Sequence, residues 1–104
     1  MNIIWSNYAL MRQYEIILYL YKEYGIQTVK NFQQHITKLE DYLEINPHIG
    51  AIAPTLEDKS ISYRSIPIGD KHNRIIYYID NEAIIIVDIW DMRQDTENLT
   101  KRVK

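Results

Sequence analysis

The chain has no cysteine. Disulfide staples and thiolate metal sites are excluded, and a reducing compartment fits. Glycine and proline are scarce, three of each, so no flexible linker or low-complexity tract divides the 104 residues. They read as one domain, 1–104. No run of eighteen apolar residues occurs, and the N-terminus lacks a basic segment followed by an apolar one. The expectation is a cytoplasmic protein without signal peptide or membrane span. There is no Gly-rich phosphate loop and no Gly-x-Ser-x-Gly elbow. His35, His48 and His72 have no metal-like spacing, so no metal and no other cofactor is expected. A basic excess is also missing. The formal net charge is −2, whereas strong nucleic-acid binders draw much of their affinity from neutralising phosphates. Residues 1–58 carry four Lys/Arg against seven Asp/Glu, and residues 59–104 carry eight against seven, so a polyanion site belongs in the second part.

What is present is patterned apolar sequence with nine tyrosines, a residue suited to surfaces where one end of the ring stays wet. Asn2-Ile3-Ile4-Trp5 is short and β-prone and reads as a first strand. Ser6 and Asn7 are good helix caps. Tyr8 to Tyr24 lacks Pro and Gly; Ala9, Ile16, Leu20 and Tyr24 approximate one helical face, and Tyr14, Ile17, Leu18 and Tyr21 widen it. Gly25 is placed as a helix stop. Val29, Phe32, Ile36, Leu39 and Leu43 recur at spacings of 3, 4, 3 and 4, which predicts a long amphipathic helix from about Thr28 to Ile45, ended by Pro47 and Gly50. Two helices so closely joined should form an antiparallel hairpin.

Residues 46–60 read as irregular. Strands are then expected at Ile61–Ile68, Arg74–Ile79 and Ala83–Trp90, with a tight turn at Asp80-Asn81, giving an antiparallel meander. Ile84-Ile85-Ile86-Val87 is apolar on both faces. That strand should be central, with the hairpin on one side and something else on the other. The tail has a helix-like charge order from Thr96, with Leu99 and Val103 as its apolar side.

Several pieces stand in a characteristic order: Trp5 and Ala9, Gly25, Phe32 and Leu43, then Asn46-Pro47-His48-Ile49-Gly50. Tyr63-Arg64-Ser65-Ile66-Pro67-Ile68, Arg74-Ile75-Ile76-Tyr77-Tyr78 and Ile86-Val87-Asp88-Ile89-Trp90-Asp91-Met92-Arg93 follow. Over nearly its whole length the chain resembles the RelE/ParE toxin superfamily of type II toxin–antitoxin systems, its ParE-like plasmid-stabilisation branch in particular. The resemblance implies an α+β fold: an N-terminal strand, a two-helix antiparallel hairpin, an antiparallel β-meander and a short C-terminal tail helix. It also implies a bacterial toxin made beside an antitoxin whose flexible C-terminal part wraps it. RelE-like members cut messenger RNA on the ribosome, and ParE-like members block DNA gyrase.

Metal-independent RNA cleavage needs a base for the 2′-hydroxyl, an acid for the leaving oxygen and cations for the charged phosphorane. Arg64 stands where the superfamily commonly has an arginine, Arg93 follows the last strand and Arg74 opens the middle one. Converged, they would clamp a phosphate or an acidic partner. Unconverged, they are surface arginines paired with Asp88, Asp91 or Glu82. After Arg93 the chain has no Tyr or His, a departure from the RelE-like pattern. Glu57, Asp58, Lys59 and His72 are the substitutes within reach of the argument, Lys59 foremost, although a lysine base needs a strongly lowered pKa. The catalytic set is thus unassigned, with Arg64, Arg93 and Lys59 as candidates if the chain is a nuclease.

Three readings follow. The first is a ParE-like toxin that binds a macromolecular target such as DNA gyrase and is neutralised by a cognate antitoxin. The second is a RelE-like ribosome-dependent mRNA endoribonuclease. The third is a non-toxic binding module that keeps the fold. The missing Tyr/His and the acidic balance favour the first and third, so catalysis is not the leading expectation. Strand 84–90 offers more apolar surface than one small core consumes, which marks an interface. Ile85, Val87, Ile89 and Trp90 are the expected antitoxin contacts, and a homodimer is an alternative use of such surface.

Overall fold

The structure is a computed structural model that describes residues 1–52, 61–69 and 72–91. Lys59, Arg93 and the expected tail helix from Thr96 lie outside the described residues. The order is β1 (Asn2–Trp5), α1 (Asn7–Tyr24), α2 (Ile26–Ile45), β2 (Ala51–Ile52), β3 (Arg64–Pro67), β4 (Asn73–Asp80) and β5 (Ala83–Asp91).

Ser6 starts α1 from an extended backbone conformation, its hydroxyl accepting the Ala9 amide at 3.0 Å. This satisfies one of the donors that a helix start leaves orphaned. Gly25 alone separates the two helices. It sits at φ 93°, where a Cβ is strained, and its N–H donates to the Leu20 and Tyr21 carbonyls. The second helix therefore begins at Ile26, two residues before the expected Thr28. Its periodic stripe behaves as read: Val29, Phe32, Ile36 and Leu43 are buried.

The five strands form one sheet in the order β1-β5-β4-β3-β2. β3, β4 and β5 make the antiparallel meander, and β4 and β5 are joined by a two-residue turn in which Asn81 takes φ 55°. Asn tolerates that conformation better than most residues. β1 pairs with β5 in parallel, Asn2 with Ala83 through Trp5 with Ile86, so the sheet is mixed rather than wholly antiparallel. Residues 51–52, expected as irregular, add a short edge strand to β3. The strand expected at Ile61–Ile68 pairs only over Arg64–Pro67.

Two apolar clusters lie on the two faces. Beneath the helices, Ala9, Phe32, Ile36 and Leu43 pack on Ile68, Ile75, Tyr77, Ile84, Ile86 and Ile89. On the outer face, Tyr63, Ile76 and Trp90 are buried together, with Ile61, Tyr78 and Val87 against them. The 61–63 segment is thus part of what covers the second face of the central strand. Trp5 donates its indole N–H to Glu40 at 3.0 Å, tying β1 to α2.

Candidate functional site

The chain leaves α2 through Asn46-Pro47-His48-Ile49-Gly50, and this corner is gripped from the sheet. The Tyr77 hydroxyl donates to the Pro47 carbonyl at 2.8 Å and accepts the Gly50 amide at 2.9 Å. Arg64, opposite Tyr77 in the sheet, donates from Nη1 to the Gly50 carbonyl at 2.8 Å and the His48 carbonyl at 3.1 Å. Burial pushes the Tyr77 phenol above its ordinary pKa, against the lowering pulls of the Gly50 hydrogen bond and the Arg64 charge. The ring stays neutral at physiological pH, as a donor to Pro47 must. Beside the corner lies an open depression of about 590 Å³ lined by His48, Ile61, Ser62, Arg64, Tyr78, Ile79 and Asp80.

Arg74 is elsewhere. It pairs with Trp90 across the sheet, while Arg64 pairs with Tyr77. Side chains alternate along β4, with Tyr77 under the helices and Ile76 on the outer face. Arg64 and Arg74 consequently stand on opposite faces, and the expected convergence does not occur between them. Arg74 donates to Ser65, Nε to the hydroxyl at 3.1 Å and Nη2 to the carbonyl at 3.2 Å. His72 precedes β4, five residues and so roughly 16 Å of strand from Tyr77. It does not join Arg64.

The expected antitoxin contacts divide in the same way. Asp88 pairs with Ile76 and Ile86 with Tyr77, which leaves Val87 as an extra residue on β5. An extra residue shifts the alternation by one. Ile85 and Val87 are half-buried, with Val87 against the outer cluster and Ile85 opposite Tyr78. Ile89 then turns under the helices with Ile84 and Ile86, fully buried. Trp90 faces outward but is 1% exposed. Ile85 and Val87 are left accessible beside the exposed Ile4, the β1 partner of Ile85.

Sequence reasoning missed one further group. Asp88 is buried at 1% exposure, and its Oδ1 lies 3.9 Å from Nε of Arg12 on α1. Ser6 reaches the same place, its N–H donating to the Ile86 carbonyl at 2.9 Å and its hydroxyl to the Val87 carbonyl at 3.5 Å. Asp88 was legible as an ion-pair partner, but of Arg64, Arg74 or Arg93, because nothing in the sequence places α1 over the irregular point of β5. Among the described residues, no group of three or more His, Asp or Glu could hold a metal ion. No helix among them is long and apolar enough to cross a membrane.

The sequence matches the family model described as ParE toxin of type II toxin-antitoxin system, parDE, over residues 3–96. The chain belongs to the ParE toxin family. It is therefore a toxin component of a type II toxin–antitoxin system. Solved structures share the fold of this ParE-family chain. A chain of the chromosomal ParDE toxin–antitoxin system from P. aeruginosa superposes with a TM-score of 0.70 at 16% identity, over 88% of this chain and 95% of that one. A chain from the structure of the YoeB dimer from Staphylococcus aureus gives 0.56 at 21% identity, over 86% and 94%. One from the YoeB-YefM complex of the same organism gives 0.52 at 18%, over 86% and 94%. No curated protein is significantly similar in sequence.

Proposed function

We propose that this toxin acts in the cytoplasm by binding a macromolecular target, DNA gyrase being the leading one, rather than by cutting RNA. A cognate antitoxin neutralises it by covering the outer face of β1 and β5 at Ile85 and Val87. The observation that carries this reading is the separation of Arg64 from Arg74. A phosphorane needs cations aimed at one point, and these two point to opposite faces, each engaged with protein acceptors. Membership of the ParE family rather than a nuclease family supports the same choice. The half-buried Ile85 and Val87 beside the exposed Ile4 supply the apolar strip that a partner covers. An antitoxin segment that folds on this strip exchanges ordering entropy for contact area.

The test is induction of the toxin alone, scoring growth, transcript integrity and DNA supercoiling. Growth arrest with lost supercoiling and intact transcripts is expected. Ribosome-dependent transcript cutting that disappears in Arg64→Ala would overturn the reading in favour of an endoribonuclease, and normal growth in favour of a non-toxic binding module. Co-expression with the antitoxin should rescue the wild type and fail to rescue a toxin carrying Ile85→Glu and Val87→Glu.

A further inference from the structure

The arginines among the described residues are all engaged within the molecule. Arg12 faces Asp88, Arg64 donates to the His48 and Gly50 carbonyls, and Arg74 donates to Ser65. Lys30 and Lys38 on α2 differ: both are exposed, and neither forms an ion pair among the described residues. No Asp or Glu occurs from Ile26 to Leu39, so nothing on these turns neutralises them. The acidic balance of residues 1–58 thus conceals a positive helix face. Gln34 stands four residues from each lysine, with Gln33 and Thr37 beside it. These five side chains line a shallow depression of about 390 Å³. The Thr37 hydroxyl turns back to donate to the Gln33 carbonyl at 3.1 Å. The outward donors are therefore two ammonium groups and two carboxamides, and no aromatic or aliphatic residue lines the depression with them.

We propose that this face of α2 docks on duplex DNA, with Lys30 and Lys38 on the phosphates and Gln34 between them over the major groove. Lysine and glutamine are among the side chains that bind phosphate oxygens, and a carboxamide can also donate and accept at a base edge. A protein partner would need an aromatic or aliphatic anchor on this face, and the depression offers none. Lys30 and Lys38 are eight residues apart, roughly 12 Å along the helix. The major groove of B-DNA is about 12 Å wide, so one ammonium meets each phosphate ridge. A fixed spacing suits the fixed ridges of a duplex better than a flexible single strand. Duplex RNA is a poor fit, because its major groove is too narrow and deep for side chains to read. Asp41 and Glu44, exposed further along the same face, repel phosphates and end the surface at Lys38. Two phosphates and a net charge of −2 make the contact weak, an auxiliary to whatever else holds the toxin on DNA. The inference does not depend on the toxin's target.

Amide NMR titration of the purified toxin with a short DNA duplex of arbitrary sequence, at low salt, tests it. Shifts should concentrate at Lys30, Gln33, Gln34 and Lys38. The logarithm of the affinity should fall with the logarithm of salt at a slope of about −1.8, the value for two phosphates neutralised. Lys30→Gln and Lys38→Gln should each weaken binding and roughly halve that slope. Gln34→Leu should weaken binding by about threefold and leave the slope unchanged, since it removes hydrogen bonds and no charge. Lys30→Glu with Lys38→Glu should abolish the shifts at unchanged circular dichroism and thermal midpoint, because both side chains are exposed. Absence of shifts at millimolar duplex, shifts centred on another surface, or binding that survives the double reversal overturns the proposal. Tighter binding of a single-stranded RNA of the same length overturns it as well, giving the face to RNA.

Discussion

A Cβ atom built on Gly50 would lie 2.6 Å from the Tyr77 hydroxyl oxygen and 2.8 Å from its Cε1. The tyrosine ring occupies the space where any other residue at position 50 would put its side chain. That closeness lets the phenol reach both Pro47 and Gly50.

Gly50→Ala is expected to cost about 1–3 kcal/mol through overpacking. Tyr77→Phe should cost a similar 1–3 kcal/mol, because the buried Gly50 amide and the Pro47 carbonyl lose their partner. The two residues touch, so the double variant should be less destabilised than the sum. Urea unfolding of the three proteins checks this, and strict additivity would show that the close approach is not what makes position 50 a glycine.

Arg64→Ala should destabilise by about 1.5–3 kcal/mol, the range for charged hydrogen bonds, since one guanidinium nitrogen serves two carbonyls. Arg64→Lys should fall between, keeping the charge but losing the rigid fork. If Arg64 only braces the corner, toxicity falls in proportion to the folded fraction. Toxicity lost at full stability would assign Arg64 to the target.

Stability should fall at alkaline pH. Burial raises the phenols of Tyr77 and Tyr63, the latter with help from neighbouring Tyr78. A phenol raised on folding is neutral in both states below about pH 10, so its contribution is fully present there. Above that the unfolded chain ionises first, and stability is lost until the folded pKa is passed. Urea midpoints at pH 8, 10 and 11 should decline only over the last interval. Tyr77→Phe and Tyr63→Phe should each remove part of the decline, and an unaltered slope in both would refute the assignment.

Arg12→Met should destabilise by roughly 2–3 kcal/mol, somewhat less than the loss of a fully buried pair, because Asp88 is buried while Arg12 is partly exposed. A variant as stable as wild type at pH 7 would mean that Arg12 is incidental to Asp88.

The second helix was legible because five apolar residues in one register leave little else for residues 29–43 to be. The caps at Ser6 and Gly25 were legible for local reasons, a hydroxyl that accepts an amide and a residue free to take positive φ. Ile61 to Tyr63 looked like strand because alternation reports burial, and burial is what they have, over the outer face rather than in a ladder. β2 is two residues long, too short to carry a period. The extra residue at Val87 has no signature of its own, yet it decides which way Ile89 and Trp90 point and so divides the expected antitoxin surface. Arg64 was recognised as a site candidate, but its acceptors are backbone carbonyls, which every residue possesses and no sequence pattern advertises.

The parallel pairing of Asn2–Trp5 with Ala83–Ile86 has a consequence for synthesis. The first strand made can find its neighbour only after four-fifths of the chain has left the ribosome. Until then the helical hairpin has no complete sheet to lie on, and its inner stripe stays uncovered. The sheet is therefore completed late, by the pairing of largest sequence separation in it. A chain interrupted before Ala83 lacks the strand that joins β1 to β4 and leaves the inner sides of both helices without Ile84, Ile86 and Ile89 to pack on.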